Sequence, residues 1–125
     1  MPYIASDPKR YAGSSVGDGQ CVAYVRAASG APHALAWTKG APVKEAGNLF
    51  PGTVIATFDA NGKYGNRKDG TSHAAIFLRM TAGGIVVLDQ WVTRGVRRPV
   101  HERMIRFNNP GAKKINSGDA YFVVD

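Results

Sequence analysis

The spacing of hydrophobic residues changes once along the chain, from a helical period to a strand period. Residues 1–17 are rich in Pro, Ser and Gly, and we expect them to wrap the surface before the first helix. From Cys21 onward, apolar residues such as Val25 fall on one helical face, and Gly30 is typical of a helix end. A second short helical piece is predicted over residues 34–39. The N-terminal part of the chain is therefore predicted to be helical.

Beyond residue 50 the pattern indicates β-strands joined by turns. These segments are short, apolar and rich in β-branched residues, with glycine-rich or polar stretches between them. They are predicted at residues 53–58, 74–80, 85–91, 101–107 and 120–124. A long polar loop occupies 59–72, and the segment 81–84 is typical of a hairpin turn. This order predicts an α+β fold, with N-terminal helices packed on an antiparallel β-sheet of about five strands.

Length and composition agree with one folded unit. The chain has 125 residues, of which 44% are hydrophobic and 20% are charged. These values are typical of a globular protein and differ from those of a disordered chain. We therefore predict a single domain spanning residues 1–125, with a hydrophobic core of its own.

The charge balance favours a polyanionic partner. The chain has 16 Lys and Arg against 9 Asp and Glu, which gives a net charge of +7. Such a protein is attracted to nucleic acid, anionic lipid or an acidic cell-wall polymer. The densest basic stretch, residues 94–98, is interpreted as a solvated loop. Because the aromatic residues do not interleave with the basic ones as a stacking platform requires, we do not expect a nucleic-acid partner.

The sequence lacks the patterns of a membrane segment and of a secretory signal. Its N-terminus has no basic region followed by an apolar run. No stretch approaches the ~20 apolar residues that span a bilayer. We therefore expect a protein that is made in the cytoplasm without a signal peptide and does not insert into membranes. A target outside the cytoplasm then requires another export route.

The single cysteine carries the most chemical information. One thiol cannot form an intrachain disulfide, and no cluster of His, Cys and carboxylates has metal-ligand spacing, so we predict no metal and no other cofactor. Cys21 stands at the predicted start of the first helix, where Asp18 is placed to accept from the early N–H groups. Helix N-termini stabilise thiolates. Cys21 is thus a candidate nucleophile, although a lone buried cysteine is more often an apolar filler.

His73 and Asp89 are the candidate partners of this thiol. They lie on either side of the predicted hairpin, and residues at matching distances from a turn face each other across an antiparallel pair. Asp89 would orient the imidazole, and its other ring nitrogen would take the proton of Cys21. The N–H of Cys21 would donate to the developing oxyanion. An unpaired carboxylate beside the apolar run 85–88 would be unfavourable, which favours a paired Asp89.

Three further residues are candidates for substrate binding or oxyanion stabilisation: Gln20, Gln90 and Trp91. Gln90 is also the alternative to Asp89 for orienting the histidine, although strand alternation directs the two side chains to opposite faces. The remaining histidines, His33 and His101, are predicted to lie on the surface.

Several segments together resemble those of the NlpC/P60 and CHAP cysteine peptidases. Residues 19–25 (GQCVAYV) resemble the nucleophile segment, residues 51–56 (PGTVIA) the first strand, and residues 72–78 (SHAAIFL) the histidine strand. Over its full length the chain is similar to one family in particular, the second family of peptidoglycan amidases delivered by type VI secretion. That likeness includes residues 61–67 (NGKYGNR) and 89–91 (DQW).

The resemblance implies a papain-like NlpC/P60 fold and a Cys-His-Asp thiol mechanism. By position, Cys21 would be the nucleophile, His73 the base and Asp89 the third member. The implied reaction is hydrolysis of an amide in the stem peptides of peptidoglycan. The implied bond is the cross-link between meso-diaminopimelate and D-alanine, and the alternative is the bond between γ-D-glutamate and diaminopimelate.

The resemblance also implies an antibacterial role. The type VI secretion apparatus would export the protein, which would act in the periplasm of a target cell. A cognate periplasmic immunity protein would protect the producer.

Two other functions are compatible with the sequence. The first is a phage or housekeeping cell-wall lytic enzyme of the same fold, which needs no immunity partner. The second is a non-catalytic basic module that binds a polyanion. Loss of Cys21 would leave the binding of such a module unchanged.

Overall fold

A six-stranded antiparallel sheet dominates the computed structural model, which describes residues 1–125. The strands are β1 (Lys39–Pro42), β2 (Val54–Thr57), β3 (Ala74–Thr81), β4 (Gly84–Thr93), β5 (Val96–Arg106) and β6 (Tyr121–Val124). Their order across the sheet is β1-β6-β2-β3-β4-β5. Strands β2 to β5 form a meander, and the C-terminal β6 lies between β1 and β2. This architecture agrees with the predicted α+β class.

The sheet carries one α-helix, α1 (Cys21–Ser29), where the sequence predicts several helices. α1 contacts β3 and β4, and its buried residues are Cys21, Tyr24 and Val25. Gly30 ends the helix as predicted, because it adopts the left-handed conformation (φ 74°) and its N–H donates to the carbonyl of Arg26.

One short turn and two edge strands differ from the prediction. Ala34–Ala36 is a short 3₁₀ turn rather than part of a helix, and Lys39–Pro42 pairs with β6 as an additional strand. β5 begins at Val96, so most of the basic stretch 94–98 is strand and not loop. Both strands lie at sheet edges, where Pro and exposed charged residues are tolerated. Because of those residues, the alternation of apolar and polar positions that is typical of a strand is not visible in the sequence.

The sheet separates two hydrophobic cores. The core under α1 includes Tyr24, Ile76 and Leu88, and the core on the opposite face includes Val43 and Val87. Side chains along β3 and β4 alternate between the two cores, because successive strand residues point to opposite faces. A residue at the end of β4 can therefore face either α1 or the far side of the sheet, depending on its position.

The N-terminal segment 1–17 wraps the surface as predicted. The N–H of Ala5 donates to the carbonyl of Gly52 (2.8 Å), and the N–H of Gly13 donates to the carbonyl of Val100 (2.7 Å). None of the helices combines the length and the apolar character that crossing a membrane requires.

The β3–β4 hairpin positions two of the predicted site residues, with a register that differs from the predicted one. Past a bulge in β3, Ile76 pairs with Leu88. Continuing this register places Asp89 opposite Ala75, so the prediction that His73 lies directly across from Asp89 is wrong. The two residues are diagonal neighbours, and their side chains still meet.

Candidate active site

Cys21 is the first residue of α1 and is 8% exposed. The prediction that Asp18 accepts from the first N–H groups of the helix is wrong. Its Oδ1 accepts instead from the N–H of Gln20 (2.9 Å), one residue before the helix. Gln20 provides no side-chain cap either. The N-terminal end of α1, with its partial positive charge and free N–H groups, therefore lies beside the thiol without a capping side chain.

His73 lies immediately before β3 and is buried. Thr57 of β2 fixes its backbone: the N–H of Thr57 donates to the carbonyl of His73, and the N–H of His73 donates to Oγ1 of Thr57, both at 3.0 Å. Nε2 of the imidazole lies 2.7 Å from Oδ2 of Asp89. Because Nε2 is engaged there, Nδ1 is the ring nitrogen left for the neighbouring thiol of Cys21.

Asp89 of β4 is fully buried and paired. Its Oδ2 accepts from Nε2 of His73 and also from Nε of Arg103 (2.8 Å). Its Oδ1 has no hydrogen-bond partner. The expectation that a carboxylate at this position is paired is confirmed, and the second partner, Arg103, was not foreseen.

Burial and charge act on the pKa of each group in opposite directions. Burial raises the pKa of the Cys21 thiol, but His73, the Tyr64 hydroxyl and a backbone N–H lower it to a net value below that of an ordinary thiol. Burial lowers the pKa of His73, but Asp89 and the Cys21 sulfur raise it to about 9. Burial raises the pKa of Asp89, but His73 and Arg103 hold it below its usual range. Each net shift favours the charged form of its group, namely the thiolate, the imidazolium and the carboxylate, over what an ordinary side chain would show.

Tyr64 is a contact of the sulfur that the sequence pattern does not single out. Its hydroxyl lies 3.5 Å from Sγ of Cys21, and its ring packs on Trp37 with 5.1 Å between centroids. Burial and the nearby sulfur raise the pKa of this phenol well above its ordinary value, so the hydroxyl keeps its proton and can donate it to a hydrogen bond. Two signals were available: Tyr64 is the one aromatic residue of the polar loop 59–72, and it lies in the family-like segment 61–67.

The structure separates the three predicted substrate-binding residues. Gln20 and Trp91 line the groove that contains Cys21. Gln90 is fully buried, with Oε1 accepting from the N–H of Val16 (2.8 Å) and Nε2 donating to the carbonyls of Val16 (2.9 Å) and Gln20 (2.7 Å). The predictions that Gln90 binds substrate or orients the histidine are wrong, because its amide holds the segment before α1.

The other two histidines are exposed, as predicted. Nδ1 of His33 accepts from the N–H of Leu35 at the start of a 3₁₀ turn (3.3 Å). The ring of His101 lies 5.1 Å from that of Trp91. Each histidine thus has a structural partner of its own.

An open groove of about 1010 Å³ contains Cys21 and His73. Its lining is strongly basic, with one acidic residue, Asp18, against Arg26, Arg67, Lys68, Arg94, Arg103 and Lys113. Two of these cations are paired with Asp59 and Asp89, and the other four form no ion pair. The groove therefore presents unpaired positive charge to a ligand.

Nearly the whole chain matches a known protein family. A family model described as domesticated amidase effector 2 matches residues 2–124. The chain belongs to this amidase effector family. The family resemblance inferred from the residues is thus confirmed.

Two relatives of the amidase effector family match nearly the whole chain. A type VI secretion amidase effector 2 protein of Salmonella typhi is 36% identical over 135 residues, which covers 100% of both proteins. A domesticated amidase effector 2 of Ixodes scapularis is 35% identical over 127 residues, which covers 96% of this chain and 82% of the relative.

A solved structure of a type 6 secretion amidase effector 2 has the same fold. It superimposes with a TM-score of 0.85 at 35% identity, and covers 98% of this chain and 94% of the other. The likeness to amidase effector 2 proteins therefore includes the helix that carries Cys21 and the strands beside His73 and Asp89.

Proposed function

We propose that this chain, as one catalytic domain of residues 1–125, hydrolyses an amide bond in the stem peptides of peptidoglycan. Cys21 is the nucleophile, His73 the base and Asp89 the residue that orients the base. The observation that carries the proposal is that Cys21 and His73 line one open groove, while the imidazole of His73 is paired with the buried Asp89 carboxylate at 2.7 Å. Membership of the amidase effector family supports the same reaction class.

In the first half of the reaction, the thiolate of Cys21 attacks the carbonyl carbon of the scissile amide. The S–C bond forms, and one electron pair of the carbonyl moves to its oxygen. The imidazolium of His73 gives its proton to the leaving nitrogen as the C–N bond breaks. A thioester on Cys21 and a neutral imidazole remain.

In the second half, His73 takes a proton from a water molecule while the water oxygen attacks the thioester. The C–S bond breaks, the acid product leaves, and the thiolate and imidazolium are restored. Asp89 stays ionised throughout and holds Nε2 of the ring, so that Nδ1 transfers the proton in both halves.

Donors for the oxyanion lie at the start of α1. The N–H of Cys21 is the first candidate, since it belongs to a helix N-terminus without a capping side chain. The hydroxyl of Tyr64, 3.5 Å from the sulfur, is the second. The side chain of Gln20, which lines the groove, is the third.

The basic groove fits an acidic peptide. Stem peptides carry several carboxylates, and the four unpaired cations of the groove supply complementary charge. Within this substrate class, the cross-link between meso-diaminopimelate and D-alanine is the proposed bond. The bond between γ-D-glutamate and diaminopimelate is the alternative.

The biological role follows from the same family. We propose that the type VI secretion apparatus delivers the protein to the periplasm of a target cell, and that a periplasmic immunity protein blocks the groove in the producer. Toxicity that appears only when the protein is directed to the periplasm would support this role over that of a phage or housekeeping enzyme.

The test uses a purified cross-linked muropeptide dimer, with products identified by mass spectrometry. The natural protein should convert the dimer to two monomers, and Cys21→Ala should form no product while keeping the circular dichroism spectrum. Ala27→Ser, an exposed change on the same helix, is the matched control and should keep full activity. Undiminished turnover by Cys21→Ala would end the proposal, and cleavage on the glutamate side of diaminopimelate would assign the alternative bond.

A further inference from the structure

Arg103 connects the edge strand to the proposed triad. It lies on β5 opposite Val87 of β4, and its Nε donates to Oδ2 of Asp89 at 2.8 Å. Its guanidinium carbon lies 5.2 Å from the centre of the Trp91 ring. The side chain is 23% exposed and lines the groove. One arginine thus contacts the buried carboxylate and the groove together.

Few other groups stabilise the ionised form of the Asp89 carboxylate. It is fully buried, and Oδ1 has no hydrogen-bond partner, so both donors meet at Oδ2. A buried carboxylate without sufficient donors and positive charge takes up a proton. His73 and the second donor on Oδ2, Arg103, together offset the burial of this carboxylate.

The groups that face Asp89 from the surrounding elements leave Arg103 as its permanent cation. Tyr24 of α1 and Tyr121 of β6 lie near the carboxylate, and burial raises the pKa of both phenols, so they stay neutral. His101, the cross-strand neighbour of Asp89, is exposed, and its Nδ1 lies 2.9 Å from the carbonyl oxygen of Pro99. The charge of His73 itself depends on the state of Cys21.

We propose that Arg103 is a positioning residue that keeps Asp89 ionised and directed at His73, and through them keeps Cys21 in the thiolate form. The inference builds on the roles proposed for Cys21, His73 and Asp89. Without Arg103, the carboxylate takes up a proton, the imidazole loses its charged partner and the imidazolium becomes less stable. The sulfur then ionises only at higher pH.

A purely structural role of Arg103 predicts a different result. Loss of an ion pair and of a cation–π contact lowers stability, but it leaves the ionisation of Cys21 unchanged in molecules that remain folded. The pH at which the thiolate forms therefore separates the two roles.

The experiment measures the rate of Cys21 alkylation by iodoacetamide against pH, followed by mass spectrometry of the intact protein. The chain has one cysteine, so the signal belongs to Cys21 alone. Arg103→Met should raise the midpoint of the rate profile by about one pH unit, since a close charge shifts a pKa by about 1–3 units. Arg103→Lys, which restores the charge, should lie within a few tenths of the natural protein. Arg79→Met is the matched control, because Arg79 pairs with Glu102 at an exposed position.

A double variant keeps the inference testable if Arg103→Met fails to fold. Asp89→Asn combined with Arg103→Met leaves no buried charge without a partner, so its folding is less affected. If Arg103 acts through Asp89, the double variant and Asp89→Asn alone should have the same alkylation midpoint. A difference between these two midpoints, or an unchanged or lower midpoint in folded Arg103→Met, would overturn the inference.

The alkylation assay needs no substrate, so its outcome is independent of the muropeptide assay. A shifted midpoint without muropeptide cleavage contradicts the proposed function alone. Cleavage by the natural protein with an unshifted Arg103→Met profile contradicts the role of Arg103 alone.

Discussion

The sulfur of Cys21 is buried, and burial by itself opposes its ionisation. The imidazole of His73, the hydroxyl of Tyr64 and a backbone N–H compensate, so the pKa of the thiol lies below its ordinary value. Burial also opposes the charge of His73, but Asp89 and the Cys21 sulfur raise the pKa of His73 to about 9. At the scale of single residues, the site is therefore a coupled ion pair whose two members stabilise each other.

The alkaline limb of the pH profile follows from this coupling. His73 is protonated at pH values below its raised pKa and neutral at pH values above it. A neutral imidazole has no proton to give to the leaving nitrogen. We expect kcat/KM to fall with a midpoint near pH 9, the raised pKa of His73. Initial rates of muropeptide cleavage between pH 5 and 11 measure this limb. A midpoint near about 6.5, the ordinary pKa of histidine, would contradict the ion pair.

Tyr64→Phe tests the second contact of the sulfur. The change removes the hydroxyl 3.5 Å from Sγ and keeps the ring that packs on Trp37. Loss of one hydrogen bond to a charged group, worth about 1.5 kcal/mol, predicts a kcat/KM lower by about tenfold. Tyr3→Phe is the control and should leave kcat/KM unchanged. Equal rates for both variants would remove Tyr64 from the reaction.

The sequence identifies some members of the site and not others for a physical reason. Cys21 and His73 carry reactive groups next to recognisable helix and strand starts. Tyr64, Thr57 and Arg103 act only through contacts with segments distant along the chain, which no local pattern contains.

At the scale of elements, the start of α1 is held by a strand that lies far away in sequence. Gln90 of β4 bonds three backbone groups of Val16 and Gln20, and so fixes the segment that leads into Cys21. The position of the nucleophile thus depends on the register of β4 as well as on the helix.

Gln90→Leu should therefore affect both stability and activity. Three backbone groups lose their partner, and buried unpaired groups predict a loss of about 3 kcal/mol in the free energy of unfolding. Urea denaturation followed by circular dichroism measures this value. Thr93→Ala, an exposed change at the end of the same strand, is the control. A loss under about 0.5 kcal/mol would show that Gln90 does not hold the segment.

The elements that the sequence predicts well are those with a buried face. β2, β3, β4 and β6 fall within one or two residues of the predicted bounds, because both faces of the sheet are covered there. The sequence pattern does not predict β1, and it places the start of β5 too late. Both are edge strands with exposed residues. The register of the β3–β4 hairpin was missed because a bulge has no signal in the hydrophobic pattern.

At the scale of the whole molecule, the net charge of +7 is concentrated where a ligand meets the site. The groove beside Cys21 is lined by six Lys and Arg and one Asp. Composition predicts an acidic partner, but it does not say where on the surface the charge lies. The fold determines the location by bringing cations from α1, the loop 59–72, the turn after β4, and β5 to one groove.

Reversing two groove charges tests this arrangement. Lys68→Glu with Arg94→Glu should raise the KM for muropeptides with free carboxylates by about tenfold at low salt, with kcat little changed. The difference should shrink at high ionic strength, because salt screens exposed charges. Lys9→Glu with Lys39→Glu is the control, since both are exposed cations outside the groove with the same change in net charge. An equal rise of KM in the control would assign the effect to overall charge.

The most direct test of the whole account is the pH titration of the thiolate absorbance of Cys21 in the free protein, with Cys21→Ala as the blank. The account predicts that the thiolate forms below the pH range of an ordinary thiol, and that His73→Ala moves its formation to higher pH. An ordinary thiol titration in the natural protein, unchanged by His73→Ala, would contradict it.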